Sequence, residues 1–270
     1  MKKVLTIAGS DSSGGAGIQA DIKTMTAHGV YGMSVITALT AQNTMGISGV
    51  LNIPGEFVKE QLIALFEDIF PAAVKIGMLP NKEVMEAVEE MLTKYVAKNI
   101  VLDPVLGSTS GTSLSAVESR EFLKERLFPL CTLITPNVPE AETLCEMKIL
   151  NREDAREAAG FLAGKYSSNV LIKGGHLDYE QNGKSADLLY MRDESFCWLE
   201  EERIDNPNTH GTGCTLSSAI ASNLAIGHEL KEAVILAKKY ITSCIGAGLD
   251  IGKGRGPLNH MAEKSLRGEE

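Results

Sequence analysis

Asn208-Thr-His-Gly-Thr-Gly-Cys-Thr215 concentrates the residue types that could do chemistry in this chain. Gly211 and Gly213 allow a sharp turn that brings backbone N–H groups against a ligand. Leu216, Ile220 and Leu224 then recur at four-residue spacing, which predicts a helix over Thr215–Ile226 with Gly227 as its stop. A glycine-rich turn feeding a helix N-terminus attracts anions, because unpaired N–H groups and the helix dipole both favour negative charge. Cys214 lies at that positive end, where a thiol is expected to ionise more easily than in water. The chemistry implied is phosphate handling beside an activated side chain. A plain helix start uses the same residues, and the local sequence leaves both readings open. His210 and Cys214 stand one helical turn apart and could share a metal, but no second ligand pair lies nearby.

Such a loop must be positioned by regular elements. Short apolar runs predict strands at Val4–Ala8, Met33–Thr40, Ala73–Ile76, Ile100–Leu102, Thr132–Ile134 and Val170–Ile172. Between them, helical patterns cover Ala16–His28, Glu56–Phe66, Lys82–Tyr95, Ala116–Leu127, Pro139–Cys145 and Arg152–Lys165, with Leu230–Gly246 closing the chain. This alternation predicts an α/β fold: a mainly parallel sheet covered by helices on both faces. Gly183–Ile204 breaks the pattern. Leu188 and Tyr190 alternate before Arg192-Asp193-Glu194, and Phe196 and Trp198 after it, which predicts an antiparallel hairpin at a sheet edge. With no linker or repeat, residues 1–270 read as one domain.

Ligands of open α/β sheets bind beyond the carboxyl ends of the strands. Those ends carry Asp11, Gln42-Asn43, Gly77-Met78, Asp103, Asn137 and Lys173-Gly174-Gly175. Carboxylates, amides, an ammonium and glycines along one edge predict a site there. Asn137 and Glu140 also have the spacing of a capping box, with Pro139 in the first turn, and that role is compatible with a ligand at the same helix start.

Composition narrows the partners. A net charge of −9 argues against broad nucleic-acid or anionic-membrane binding, which needs a basic face. The apolar start Val4–Gly9 ends at Asp11, too soon for a signal peptide, and no run approaches membrane-spanning length. The five cysteines, odd in number and widely spaced, read as reduced cytoplasmic thiols, mostly buried. His28, His228 and His260 read as surface or helix-end residues.

Two nucleotide motifs fail. Gly15, Gly17 and Ala20 satisfy a loose dinucleotide fingerprint, but the second strand ends in neutral Ala41-Gln42-Asn43 where an acidic ribose contact belongs. Asp178–Ser185 lacks the first glycine of a Walker A loop. A nucleotide would have to bind by another route.

Several segments together resemble the ribokinase-like superfamily, and within it the bacterial hydroxymethylpyrimidine/phosphomethylpyrimidine kinases. They are Ala8–Asp21, Val35–Thr44, Lys75–Met78, Thr135–Glu142, Lys173–His176 and Asn208–Thr215, in the family's order over nearly the whole chain. The resemblance implies a three-layer α/β/α fold, usually a homodimer, with ATP as donor and Mg²⁺ as cofactor. It implies two phosphorylations of 4-amino-5-hydroxymethyl-2-methylpyrimidine, to the monophosphate and then the diphosphate, in thiamine biosynthesis. By position, Asp21 and Gln42 would contact the ring, with Gly9, Ala16, Met78 and Val105 as walls and Asp11 beside them. Gly211, Thr212, Gly213 and Cys214 would form the anion hole, Cys214 accepting the hydroxyl proton. Asp103, Asn137, Glu140, Lys173 and Thr209 would serve the nucleotide, with Asp103 and Glu140 towards the metal. The family commonly has a lysine soon after Asp103-Pro-Val; this chain has Thr109, with Ser108 and Ser110 beside it. Two rival readings remain: a pyridoxal kinase of the same fold, and a catalytically silent pyrimidine-binding regulator.

Overall fold

In the computed structural model, which describes residues 1–106, 117–175 and 183–262, the apolar runs become strands of one sheet. In chain order they are β1 (Lys3–Asp11), β2 (Tyr31–Asn43), β3 (Gly46–Asn52), β4 (Ala73–Ile76), β5 (Ile100–Leu102), β6 (Leu133–Ile134), β7 (Asn169–Ile172), β8 (Lys184–Tyr190) and β9 (Phe196–Glu202). Across the sheet the order is β3-β2-β1-β4-β5-β6-β7-β8-β9. The six strands from β2 to β7 in that order are parallel. The predicted hairpin β8–β9 forms one antiparallel edge.

The other edge departs from expectation. β2 runs on to Asn43 and turns at Thr44-Met45 into antiparallel β3, which the sequence reading did not find. The reason is physical: β3 is exposed at nearly every position and carries Gly46 and Gly49, so it shows no inward apolar alternation.

The helices are α1 (Gly17–Ala27), α2 (Gly55–Asp68), α3 (Lys82–Lys94), α4 (Val117–Phe122), α5 (Val138–Cys145), α6 (Arg152–Tyr166), α7 (Thr212–Ile226) and α8 (Leu230–Ala247). Strand side chains alternate between two apolar layers, as a pleated strand must. Leu5, Ile7, Val74, Ile76, Ile100 and Leu102 meet α2, α3, α5 and α6. Val4, Ala73, Val101 and Leu171 meet α1, α7 and α8. Each large apolar side chain so buried contributes about 1.5–3 kcal/mol. The central strands are therefore held far more firmly than the exposed β3 edge.

The same alternation turns Thr6 on β1 and Lys75 on β4 towards α1 and α7, among apolar neighbours. α7 also begins earlier than the apolar spacing indicated. Its N-cap is Gly211 in the left-handed region at φ 86°, so Thr212, Gly213 and Cys214 are its first turn.

Candidate active site

Two loops meet beyond the carboxyl end of β1. The loop after β1 closes on itself through a bridge between Ser10 and Gly17. Asp11 organises it: one carboxylate oxygen accepts from the Ser13 N–H and hydroxyl at 2.8 and 2.7 Å. The other accepts from the N–H groups of Gly15 and Ala16 and bonds His210 Nε2 at 2.9 Å. Burial works against this charge, but the bonds from His210, Ser13 and Ala16 outweigh it and hold the carboxyl well below the usual range. Asp11 was expected to serve substrate binding; in the structure it is a buried organiser of the loop, with both oxygens engaged by donors there. His210 ties that loop to the one before α7, where a side chain on Gly211 would collide with the Gly15 carbonyl.

The start of α7 also meets the polar strand ends. The N–H of Thr212 bonds the Thr209 carbonyl, while among the described residues those of Gly213 and Cys214 have no hydrogen-bond acceptor. A Cβ on Gly213 would lie 2.8 Å from Asp103 Oδ2 and 3.4 Å from Lys173 Nζ. Asp103, nearly buried, accepts from the Thr135 hydroxyl at 3.0 Å and forms an ion pair with Lys173. Across from them the capping box at the start of α5 is complete, with Asn137 Oδ1 on the Glu140 N–H and Glu140 Oε2 on the Asn137 N–H. Burial, together with the nearby Asp103 charge, pushes the Glu140 carboxyl up to about 7 although Lys173 opposes this. Lys173 is itself held charged: burial disfavours its ammonium, but Asp103 and Glu140 more than compensate.

Asp103 and Glu140 supply the oxygen donors that a hydrated Mg²⁺ takes. Two carboxylates, one raised by the other's charge, are relieved by a cation. Among the described residues no cluster of three His, Cys, Asp or Glu side chains could hold a metal alone. The set fits an octahedral ion that keeps waters and takes phosphate oxygens as its other ligands, and not a caged resident metal.

Gly9 and Met78 adjoin, since a Cβ on Gly9 would lie 3.3 Å from Met78 Cε. Gln42 is half-buried, its side chain near Thr40 and His210. Ala16 caps α1, and Val105, two residues past Asp103, donates its N–H to the Asp103 carbonyl at 2.9 Å. Thr209 is exposed before the turn. Thr109, Ser108, Ser110 and His176 lie outside the described residues.

Asp21, expected to contact a ring, is fully buried. Its Oδ2 accepts from the Thr6 hydroxyl at 2.6 Å and the Lys75 ammonium at 2.8 Å, and its Oδ1 from the Ser218 hydroxyl at 2.7 Å. With three donors from inside the fold on its two oxygens, it supports the site from below. Cys214 also differs from expectation. Burial pushes its thiol up, and Asp21 and Asp103 add to this, outweighing Lys75 and the Gly17 N–H. The thiol is therefore protonated in the unliganded protein, despite its place at a helix N-terminus.

His260 departs from expectation too. It is only 5% exposed and pairs with the Thr215 hydroxyl at 3.0 Å, one residue past Cys214. Burial, with Lys23 nearby, pulls its pKa from 6.5 down to about 4. The unfolded chain thus takes the proton first, so this contribution to stability is complete above pH 6.5 and falls as pH drops through about 4. By pH 5 the loss is about 2 kcal/mol. His260→Gln keeps a partner for Thr215 and is expected to shrink the fall in melting temperature between pH 7 and pH 5. An equal fall in both proteins would exclude His260 as its source.

Sequence reasoning missed Thr6, Lys75, His210 and Ser218 as parts of the site. Lys75 left a usable trace, as the one charge in the apolar run Ala73–Ile76. Ser218 left none, since a serine in a helix gives no hint of a buried partner in another element.

Positions 11–259 match a family model described as phosphomethylpyrimidine kinase. The hydroxymethylpyrimidine/phosphomethylpyrimidine kinase of Haemophilus influenzae is 44% identical over 266 residues, covering 98% of this chain and 99% of that one. The thiamine biosynthesis bifunctional protein ThiED of Geobacter sulfurreducens is 50% identical over 258 residues, covering 96% of this chain; the chain spans only 52% of that protein's length. An ADP complex of Bacillus subtilis pyridoxal kinase superposes with a TM-score of 0.89 at 39% identity, over 98% of this chain and 99% of that one.

Proposed function

The chain belongs to the phosphomethylpyrimidine kinase family, and from that premise we propose that it phosphorylates 4-amino-5-hydroxymethyl-2-methylpyrimidine twice, with ATP as donor. The first transfer forms the monophosphate at the hydroxymethyl oxygen, and the second forms the diphosphate. One observation carries the reading. The first turn of α7, with N–H groups left to bind an anion, abuts the Asp103–Lys173 pair at Gly213.

Phosphoryl transfer depends mainly on alignment and charge neutralisation. The Gly213 and Cys214 N–H groups hold the equatorial oxygens of the transferring group, and the Lys173 ammonium balances their charge. Asp103 and Glu140, with Asn137 and Thr209 beside the nucleotide, would hold a hydrated Mg²⁺. That ion would neutralise the phosphates when bound. Gly9, Met78, Ala16 and Val105 wall the pyrimidine, and Gln42 offers amide donors and an acceptor to its edge. Cys214 takes the hydroxyl proton in its thiolate form. The reaction demands little of its base, so a minor thiolate population suffices.

Pyridoxal kinase is the second reading, favoured by the likeness to the Bacillus subtilis enzyme. We also read the chain as a homodimer that pairs through the β2–β3 edge, where Leu39, Met45, Val50 and Leu51 are exposed. A monomer in sedimentation would refute that. No helix among the described residues is long and apolar enough to cross a membrane. We assign the protein to the cytoplasm, where its five cysteines stay reduced, and cell fractionation tests this.

A coupled ATP turnover assay with mass-spectrometric product detection, run on the pyrimidine, its monophosphate and pyridoxal, tests the activity. A diphosphate product supports the proposal. Turnover of pyridoxal alone would replace it with the second reading.

A further inference from the structure

Beneath the site lies an ion pair that the reaction described above does not use. Asp21 on α1 and Lys75 on β4 are both 0% exposed and meet at 2.8 Å. Thr6 and Ser218 complete the carboxylate's hydrogen bonds. Ser218 lies one helical turn beyond Cys214 on the same face of α7, so the pair sits directly under that turn. The ammonium points further towards the site: a Cβ on Gly77, the residue before Met78, would stand 2.7 Å from Lys75 Nζ.

A buried ion pair often adds little stability over an apolar replacement, since desolvation of both ions offsets their attraction. Stability is therefore a weak reason for placing this pair directly under the site. Lys75 nevertheless stays charged: burial alone would neutralise it, but Asp21 holds it firmly ionised, with smaller support from Cys214 and Asp103. The charged groups around the Cys214 sulfur are Lys75 from β4, Asp21 from α1, Asp103 beyond β5 and Lys173 beyond β7. The Gly17 N–H also faces it. Lys173 is engaged with Asp103 and Glu140, which leaves Lys75 as the cation placed to act on the sulfur from the protein side.

We propose that Lys75 is a positioning residue for the reaction, its buried ammonium, anchored by Asp21, favouring negative charge on the Cys214 sulfur. The inference rests on the reading of Cys214 as proton acceptor. In it, Asp21 does two things at once: it keeps Lys75 charged, and it limits how far that charge favours the thiolate.

The test uses the purified full-length protein and three variants, Lys75→Met, Asp21→Asn and the double variant. Each is alkylated with iodoacetamide at fixed pH, and the peptides bearing Cys214 and Cys197 are followed by mass spectrometry. The kcat and KM for the pyrimidine are measured beside this. Lys75→Met is expected to slow Cys214 alkylation by about tenfold, the change in thiolate population that one pKa unit produces. Its kcat falls with it, while KM stays within about twofold, as expected of an interaction that matters mainly in the transition state. Asp21→Asn, which leaves the buried Lys75 without the partner that keeps it charged, is expected to slow alkylation as well. The double variant, with no buried charge left, folds but remains slow in both measures. Cys197, on the distant β9, keeps its rate throughout.

If the double variant recovers wild-type kcat, Lys75 serves only to neutralise Asp21 and the proposal fails. It fails equally if Cys214 alkylation is the same in all four proteins. Should Lys75→Met alone not fold, Asp21→Asn and the double variant give the same decision. If the alkylation rates shift as stated but Cys214→Ser turns over normally, the Lys75–sulfur link is supported and the reading of Cys214 as acceptor fails on its own.

Discussion

Gly211→Ala is expected to lower kcat by on the order of 100-fold or more, because an ångström of displacement at a reacting site has effects of that size. At φ 86° a Cβ is strained, and here it would also strike the Gly15 carbonyl. The loop before α7 must then draw away from the loop after β1, taking the N–H groups of Gly213 and Cys214 with it. Backbone strain adds about 1–3 kcal/mol of instability, read from the urea midpoint. Gly227→Ala is the control. Gly227 has φ 116° at the other end of α7, and nothing lies within 4 Å of its Cβ position. That variant should lose comparable stability yet keep its kcat. Equal kcat losses in both would mean that instability, and not loop position, slows the enzyme.

Lys173→Met should reduce kcat by about 10²- to 10³-fold, the loss typical when one donor to a developing oxyanion is removed. The variant keeps the length of the side chain and removes its charge. It also leaves the nearly buried Asp103 with the Thr135 hydroxyl as its remaining side-chain bond among the described residues, facing Glu140 without a cation between them. Nucleotide KM is expected to rise much less than kcat falls, since the charge to be balanced grows in the transition state. A rise in KM with unchanged kcat would reassign Lys173 to ground-state nucleotide binding.

The sequence carried the central strands, their parallel order and the edge hairpin β8–β9, because those features are written in local apolar periodicity. It also carried the gathering of Asp103, Asn137 and Lys173, since strand ends in a parallel sheet share one edge, while Glu140 showed as the partner of Asn137 in a capping box. Elsewhere the information was not local. Asp21 resembled a ring contact by position, yet Thr6, Lys75 and Ser218, distant in sequence, close around it. The ionisation of Cys214 was misjudged for a related reason. A helix N-terminus is visible in the sequence, but the burial and the two carboxylates that outweigh it are tertiary facts. His260 looked peripheral because its partner, Thr215, lies on another element. β3 escaped notice because an exposed edge strand needs no apolar pattern.

The central claim is that one cradle performs both phosphorylations while Cys214 serves only the nucleophile that must lose a proton. The hydroxymethyl oxygen carries such a proton; the monophosphate oxygen is already ionised at neutral pH. Cys214→Ser, assayed separately on the pyrimidine and on its monophosphate, tests this most directly. The first step is expected to slow by about 10- to 100-fold, within or just below the usual range for a positioned base. The second should stay within about threefold, and the nucleotide KM should not change. Wild-type turnover of the pyrimidine by that variant would remove Cys214 from the chemistry, and equal losses in both steps would make it a structural part of the cradle.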